Sequence, residues 1–298
     1  MLLEYDMHFF VSAENTAYYQ WQFELMIESF IENGQQNRLF IAVAETDDPG
    51  YAPALNLFKH ENKFSHTNVG VQRGYKKLNQ LYALLYALEN NLIPETYTVL
   101  EPHICLAAPY SNPIEEDRPR ACVFAPDPSF TFDTAESNAG EFWKIMPESK
   151  EYYQRNWVPL GSVMTFKQIP TDFVRRTIYL AETIILRQLL EKKPIWEHSV
   201  KLAWALNLSD VVDQVYIFGT YGITSTMIDA GNTTFIDYEH GMPPVFNKSM
   251  FTYPPPERLA FGDPIETLST LIQTANSHYL SKLAANILEK RTNANPAS

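Results

Sequence analysis

Tyr97-Thr98-Val99-Leu100-Glu101-Pro102-His103-Ile104-Cys105-Leu106-Ala107-Ala108-Pro109 is the stretch on which the reading of this chain turns. A short apolar run climbs to Leu100, breaks at Glu101 and His103, and resumes as an apolar segment closed by Pro109. In an α/β protein, such a strand delivers polar groups to the carboxyl edge of the sheet, where open parallel sheets bind ligands. On an extended segment, residues i and i+2 point to the same side. Glu101 and His103 are therefore expected to share one divalent cation, with a nucleotide's phosphates supplying other ligands. Spacing alone fits equally a buried strand whose Glu pairs with a neighbour.

Upstream, Met7 to Ser12 is an apolar run followed by a small, polar turn, Ala13 to Thr16. From Ala17 to Asn33 the period becomes helical, with Trp21, Leu25, Glu28 and Glu32 on one line, and Gly34 is placed as a C-cap. Arg38 to Ala44 is a second strand, so the chain opens β-α-β, for which a right-handed parallel crossover is expected. The loop after a first strand receives the nucleotide in such folds, here Ser12, Ala13 and on to Asn15. Neither G-x-G-x-x-G nor G-x-x-x-x-G-K-[ST] occurs, which excludes a dinucleotide fingerprint and a P-loop. Residues 45–68 read as a surface loop. A helix is predicted over Tyr75–Asn91, with Arg73, Lys76 and Lys77 at its start. Basic residues suit a helix C-terminus better, so these three either serve an anion or form a solvated face.

Downstream, Arg120–Phe124 is a strand, and 125–156 is an irregular insertion able to line an acceptor pocket. Strand character returns over 157–166. A helix follows from Asp172 to Leu190, capped by Thr171 or Asp172. Another begins at Pro194, with Trp196 and Glu197 in its first turn, where a carboxylate is favoured. Val215–Phe218 is a late strand. Thr234 to Gly241 is a strand ending in Asp237 and His240, which together would complete the metal sphere begun at Glu101 and His103. Lys248 would hold a phosphate as a point charge. One amphipathic helix is expected between Pro264 and Arg291, then a disordered end from Thr292.

Composition bounds the function. At 298 residues, 45% hydrophobic and 19% charged, the chain suits a globular protein with an ample core. A net charge of −12 without a Lys/Arg run argues against nucleic acid as a partner. No window approaches the apolar length of a membrane span, and no secretory signal is visible at the start. Cys105 and Cys122 lie in separate apolar segments and read as reduced core thiols of a cytoplasmic protein.

Several stretches together resemble a known family. Ala17-Tyr18-Tyr19-Gln20-Trp21-Gln22 looks like the first-helix motif, Tyr-x-x-Trp-Gln, of plant hydroxyproline O-arabinosyltransferases and their peptidyl-serine galactosyltransferase relatives. Leu78 to Leu84 resembles the helix before their metal motif, and Glu101-Pro102-His103 matches their Glu-Pro-Asp in spacing. The likeness covers roughly residues 7–110 and, more loosely, 230–250. It implies a GT-A-like, Rossmann-related fold: a three-layer α/β/α sandwich with a central mixed, mostly parallel sheet. One catalytic domain would span 1–260, with a nucleotide-sugar half (1–110) and an acceptor half (111–260), followed by a helix and tail over 261–298.

The resemblance further implies Mn²⁺ (or Mg²⁺) on a donor diphosphate, with Glu101 and His103 on the metal motif and Asp237 or His240 as the later ligand. Where the family carries Asp, this chain has the neutral His103, so the site holds one negative charge fewer. Ser12, Ala13, Asn15 and Tyr19 would face the nucleoside, Arg73, Lys77 and Lys248 the phosphates, and Glu197 the acceptor. The expected activity is transfer from a UDP-sugar to a peptide, glycan or small-molecule acceptor, in a bacterial-type cytoplasmic relative. Two other classes compete: a sugar-nucleotide- or peptide-binding protein with a decayed metal site, and a metal-dependent hydrolase using Glu101, His103 and His240.

Overall fold

The computed structural model describes residues 7–14, 17–44, 60–66, 75, 77–110, 120–124, 127–210, 215–218, 223–225, 234–237, 264–274 and 278–294. Within them the chain is an α/β protein. The first half carries β1 (His8–Glu14), α1 (Ala17–Glu32), β2 (Leu39–Ala44), β3 (Lys63–His66), α2 (Leu78–Glu89), β4 (Tyr97–Leu100) and β5 (Ile104–Leu106). The second carries β6 (Arg120–Phe124), α3 (Phe132–Ala139), α4 (Lys150–Arg155), β7 (Val163–Lys167), α5 (Thr171–Leu190) and α6 (Ser199–Ser209). Then come β8 (Val215–Phe218), β9 (Ile223–Ser225), β10 (Phe235–Asp237), α7 (Pro264–Thr274) and α8 (His278–Ala294).

Seven strands form a mixed, mostly parallel sheet in the order β3-β2-β1-β4-β7-β6-β8, with helices around it. Pairs β2–β3 and β6–β8 are parallel and β6–β7 is antiparallel. A second sheet, β5-β10-β9, pairs β10 antiparallel to β5 and parallel to β9. Two compact units are each assembled from several stretches of chain: Met1–Phe10, Asn68–Val99 and Asn112–Thr220 in the first, and Val11–Thr67, Leu100–Ser111 and Tyr221–Ser298 in the second.

In the first unit, the aromatic residues expected from composition make a chain of ring contacts. Tyr97 of β4 meets Phe166 of β7 at 5.2 Å, and Phe166 meets Trp204 of α6 at 5.2 Å, all three buried. Each such burial contributes on the order of 2–3 kcal/mol. Thr98 and Thr165 join their hydroxyls at 2.8 Å in the same core, which satisfies two buried polar groups at once.

The second unit is built on α1. Its Trp21 and Leu25 pack with Cys105 of β5, Ile236 of β10, Leu268 and Leu271 of α7, and Leu280 and Leu283 of α8. An acidic line at four-residue spacing on α1 meets the basic residues of α8. Glu24 takes Arg291 at 2.6 Å, Glu28 takes Lys290 at 2.6 Å, and Glu32 takes Lys282 at 2.7 Å. Gly34 ends α1 with φ +66, a conformation that costs a side-chain-bearing residue energy.

Several local expectations give way. Lys63–His66, inside the predicted loop, is a strand parallel to β2: too short and too polar for alternation to reveal it. The insertion 125–156 holds α3 and α4, whose start signals are the N-caps Thr131 and Ser149, accepting from Thr134 and Tyr152 amides at 3.1 and 3.3 Å. Pro170, without a side-chain cap, occupies the N-cap of α5. The expected single C-terminal helix is two, α7 and α8, and α8 continues past Thr292 to Ala294.

Candidate functional site

The organising stretch is not one strand. β4 ends at Leu100, and the Ile104 amide donates to the Glu101 carbonyl at 3.1 Å, closing a turn around Pro102 before β5. Glu101 and His103 are thus on a turn rather than on an extended segment, because Pro102 takes its backbone out of the ladder. They still converge: His103 Nε2 lies 3.4 Å from Glu101 Oε2.

The third member comes from the second sheet. β10 runs antiparallel to β5 with Asp237 opposite Ile104, which brings Asp237 beside the turn. Its Oδ1 is 3.6 Å from His103 Nε2. His103 is 1% exposed, whereas Glu101 and Asp237 are 28% and 21% exposed. A buried imidazole thus has two carboxylates at its rim, all within the second unit.

Two ligands of one first-row divalent ion, each at about 2.1 Å, stand about 3.0–3.4 Å apart. The two separations at His103 approach that range, and carboxylate plus imidazole suits Mn²⁺ chemically. The donors meet pairwise, however. Among the described residues, no group of three His, Cys, Asp or Glu side chains is arranged to hold a metal ion.

The strand β1 runs on to Glu14, so Ser12 and Ala13 are strand residues and not loop residues. Ser12 Oγ is buried and has no hydrogen-bond partner among the described residues. Tyr19 is half-buried near the start of α1. Asn15, Arg73, His240 and Lys248 lie outside the described residues.

In the first unit, Lys77 and Glu197 are brought together by backbone and not by charge. Lys77 Nζ donates to the Glu197 carbonyl at 3.0 Å, and Tyr75 Oη donates to the same oxygen at 2.5 Å. The Glu197 carboxylate is 74% exposed, 3.6 Å from His198 Nε2. α6 begins at Ser199, so Trp196 and Glu197 precede its first turn; the Ser199 hydroxyl and amide fold back on the Trp196 carbonyl instead.

Sequence reasoning missed Asp127. Its Oδ1 accepts from the Ser129 amide at 2.8 Å and the Ser129 hydroxyl at 2.6 Å, and its carbonyl accepts from the Phe130 amide at 3.1 Å. The signal was there in Asp127-Pro128-Ser129, a side-chain-capped turn. Burial pushes this carboxyl up, but the Ser129 bonds, with the charges of Lys201 and His198, hold it below the usual range. His198 is pushed down by burial and by Lys201 and Lys77, against the opposing charges of Glu197 and Asp127.

The fold and the triad define an α/β protein with a carboxylate–imidazole cluster where a turn between its two sheets meets a strand end. No family model matches the sequence. No curated protein matches it. Among solved structures, the chain is similar to the apo form of the WbbM bifunctional glycosyltransferase, at 14% identity and a TM-score of 0.43. That likeness covers 95% of this chain and 52% of that one, so this chain spans about half its length. No helix among the described residues is long and apolar enough to cross a membrane.

Proposed function

We propose that this chain is a glycosyltransferase that moves a sugar from a nucleoside diphosphate, UDP first among them, to an acceptor hydroxyl, such as that of a peptide. One observation carries the reading: buried His103 has Glu101 and Asp237 at 3.4 and 3.6 Å, on the residues where the sequence resemblance puts a metal motif. Glu101, His103 and Asp237, with His240, would hold Mn²⁺ or Mg²⁺. A bound ion of this kind supplies Lewis-acid stabilisation to a departing diphosphate.

The chain's own groups divide the remaining work. Ser12, Ala13, Asn15 and Tyr19 receive the nucleoside. Arg73, Lys77 and Lys248 offset phosphate charge, which grows as the bond from the anomeric carbon to the diphosphate oxygen breaks. The exposed Glu197 carboxylate takes the proton of the acceptor hydroxyl as that oxygen bonds to the anomeric carbon. The setting in this reading is a bacterial cytoplasm.

A second reading has its own support. His103 stands where the resembled family carries Asp, which favours a sugar-nucleotide-binding protein without a working metal site. Calorimetric titration of UDP, with Mn²⁺ and with chelator, separates the two. Micromolar affinity that falls at least tenfold with chelator and in Glu101→Ala and Asp237→Ala supports the transferase. Binding indifferent to metal favours the second reading, and no nucleotide binding refutes both.

A further inference from the structure

The first unit contains an aromatic and polar cluster that the triad does not use. Phe130, buried, stacks on half-buried Trp196 at 5.8 Å with the planes 14° apart. Trp157 lies 5.3 Å from Phe130 and donates its indole N–H to the Phe130 carbonyl at 2.9 Å. His198 stands edge-on to both Trp196, at 5.2 Å, and Phe130, at 6.0 Å. The turn from Asp127 to Phe130 ties this platform to a carboxylate, since Phe130 donates its amide to the Asp127 carbonyl.

Two polar groups here keep unused capacity. Both hydrogen bonds to Asp127 fall on Oδ1, and Oδ2 accepts none among the described residues. The Trp196 indole N–H likewise makes no hydrogen bond among them, although the residue is only half-buried. The charges acting on His198 balance in sign: Lys77 and Lys201 against Glu197 and Asp127. An indole presents apolar area with a polar tip, and a site that combines aromatic surface with a few convergent polar groups is built to hold a small molecule.

We propose that Trp196 and Asp127 form a binding subsite for a neutral pyranose, the C–H face of the sugar lying on the Trp196 ring and a hydroxyl donating to Asp127 Oδ2. The Asp127 carboxylate, held in its charged form by the Ser129 bonds, selects against sugar acids, whose own carboxylate it would repel. Taken as an acceptor subsite, this rests on the transferase reading; as a carbohydrate site it stands apart from it, since every residue in it belongs to the first unit.

The test is saturation-transfer NMR on the full chain with the methyl pyranosides of glucose, galactose, mannose and N-acetylglucosamine, each at 10 mM as about the ceiling for a weak site. At least one should show transfer to its ring C–H protons. That signal should vanish in Trp196→Ala and its affinity should fall about tenfold in Asp127→Asn, an isosteric change that keeps a ring-bearing platform intact. Glucuronate should bind at least tenfold more weakly than glucoside. No transfer from any of the four, or transfer unchanged in both variants, overturns the subsite. UDP calorimetry on the same samples keeps the two ideas apart. Glycoside binding without UDP binding leaves the subsite and removes the transferase, while UDP binding without glycoside binding does the reverse.

Discussion

Replacing Ser29 by Ala removes one hydroxyl from the place where α1 closes the outer edge of β5. Ser29 Oγ accepts from the Leu106 amide at 3.0 Å and donates to the Met26 carbonyl at 2.6 Å, and the residue is fully buried. The Met26 carbonyl sits within α1, where a helical carbonyl has a backbone partner. The Leu106 amide has no second acceptor among the described residues, so the variant leaves a buried donor unpaired, at about 1–3 kcal/mol. Taking about 2 kcal/mol, the opening equilibrium at Leu106 shifts by about 30-fold.

Native-state hydrogen exchange read at Leu106 measures this directly. Asn33→Ala is the built-in control. The Leu106 carbonyl accepts from Asn33 Nδ2 at 2.9 Å and from Tyr279 Oη at 2.8 Å, so it keeps one partner when Asn33 is lost. The control should therefore cost less, about 1 kcal/mol. Acceleration below threefold in Ser29→Ala, or a larger effect from Asn33→Ala, refutes the argument that α1 caps this edge.

Other expectations follow the same logic. Lys290→Met strands the nearly buried Glu28 carboxylate and should lower stability by about 1–2 kcal/mol, discounted because Lys290 is 60% exposed; adding Glu28→Gln should recover most of that loss in urea denaturation, and no recovery would contradict it. Leu283→Ala, in the core of the second unit, should cost about 2–4 kcal/mol by the same measurement. His60 is held below its ordinary pKa, first by burial, against the Leu39 carbonyl that its Nε2 meets at 2.6 Å. The unfolded chain then binds more protons than the native one as pH falls below about 6.5, so stability should decline on acidification from pH 7.5. His60→Gln should flatten that decline, and an unchanged slope would exclude His60 as its source.

What could be read from the sequence follows from how the signals arise. α1 was legible because 16 residues at helical period end in Gly34, and β2 because an apolar run has no other use. β3 was not, because Lys63-Phe64-Ser65-His66 offers only one apolar side chain to the pattern. Pro170 at the N-cap of α5, and the late start of α6 at Ser199, are set by backbone packing that propensity does not encode. At the candidate site, Glu101, His103 and Asp237 do lie near one another, but not by the expected route. The expected geometry was an extended strand, and the turn at Pro102 together with the β5–β10 register does that work instead. Asp127 went unseen because its role depends on Trp196, about 70 residues away, which no local pattern connects.

The helix α1 packs against Leu280, Leu283, Ala284 and Ile287, from the last helix of the described chain. About 250 residues separate the end of α1 from the start of α8. On a ribosome adding about 5–20 residues per second, this is a wait of about 12–50 s. Throughout it, Trp21 and Leu25 emerge without their final cover, alongside an unneutralised line of Glu24, Glu28 and Glu32. Until α8 arrives, these carboxylates repel one another at four-residue spacing, so the basic face of α8 relieves a charge strain within α1 as well as covering its apolar side.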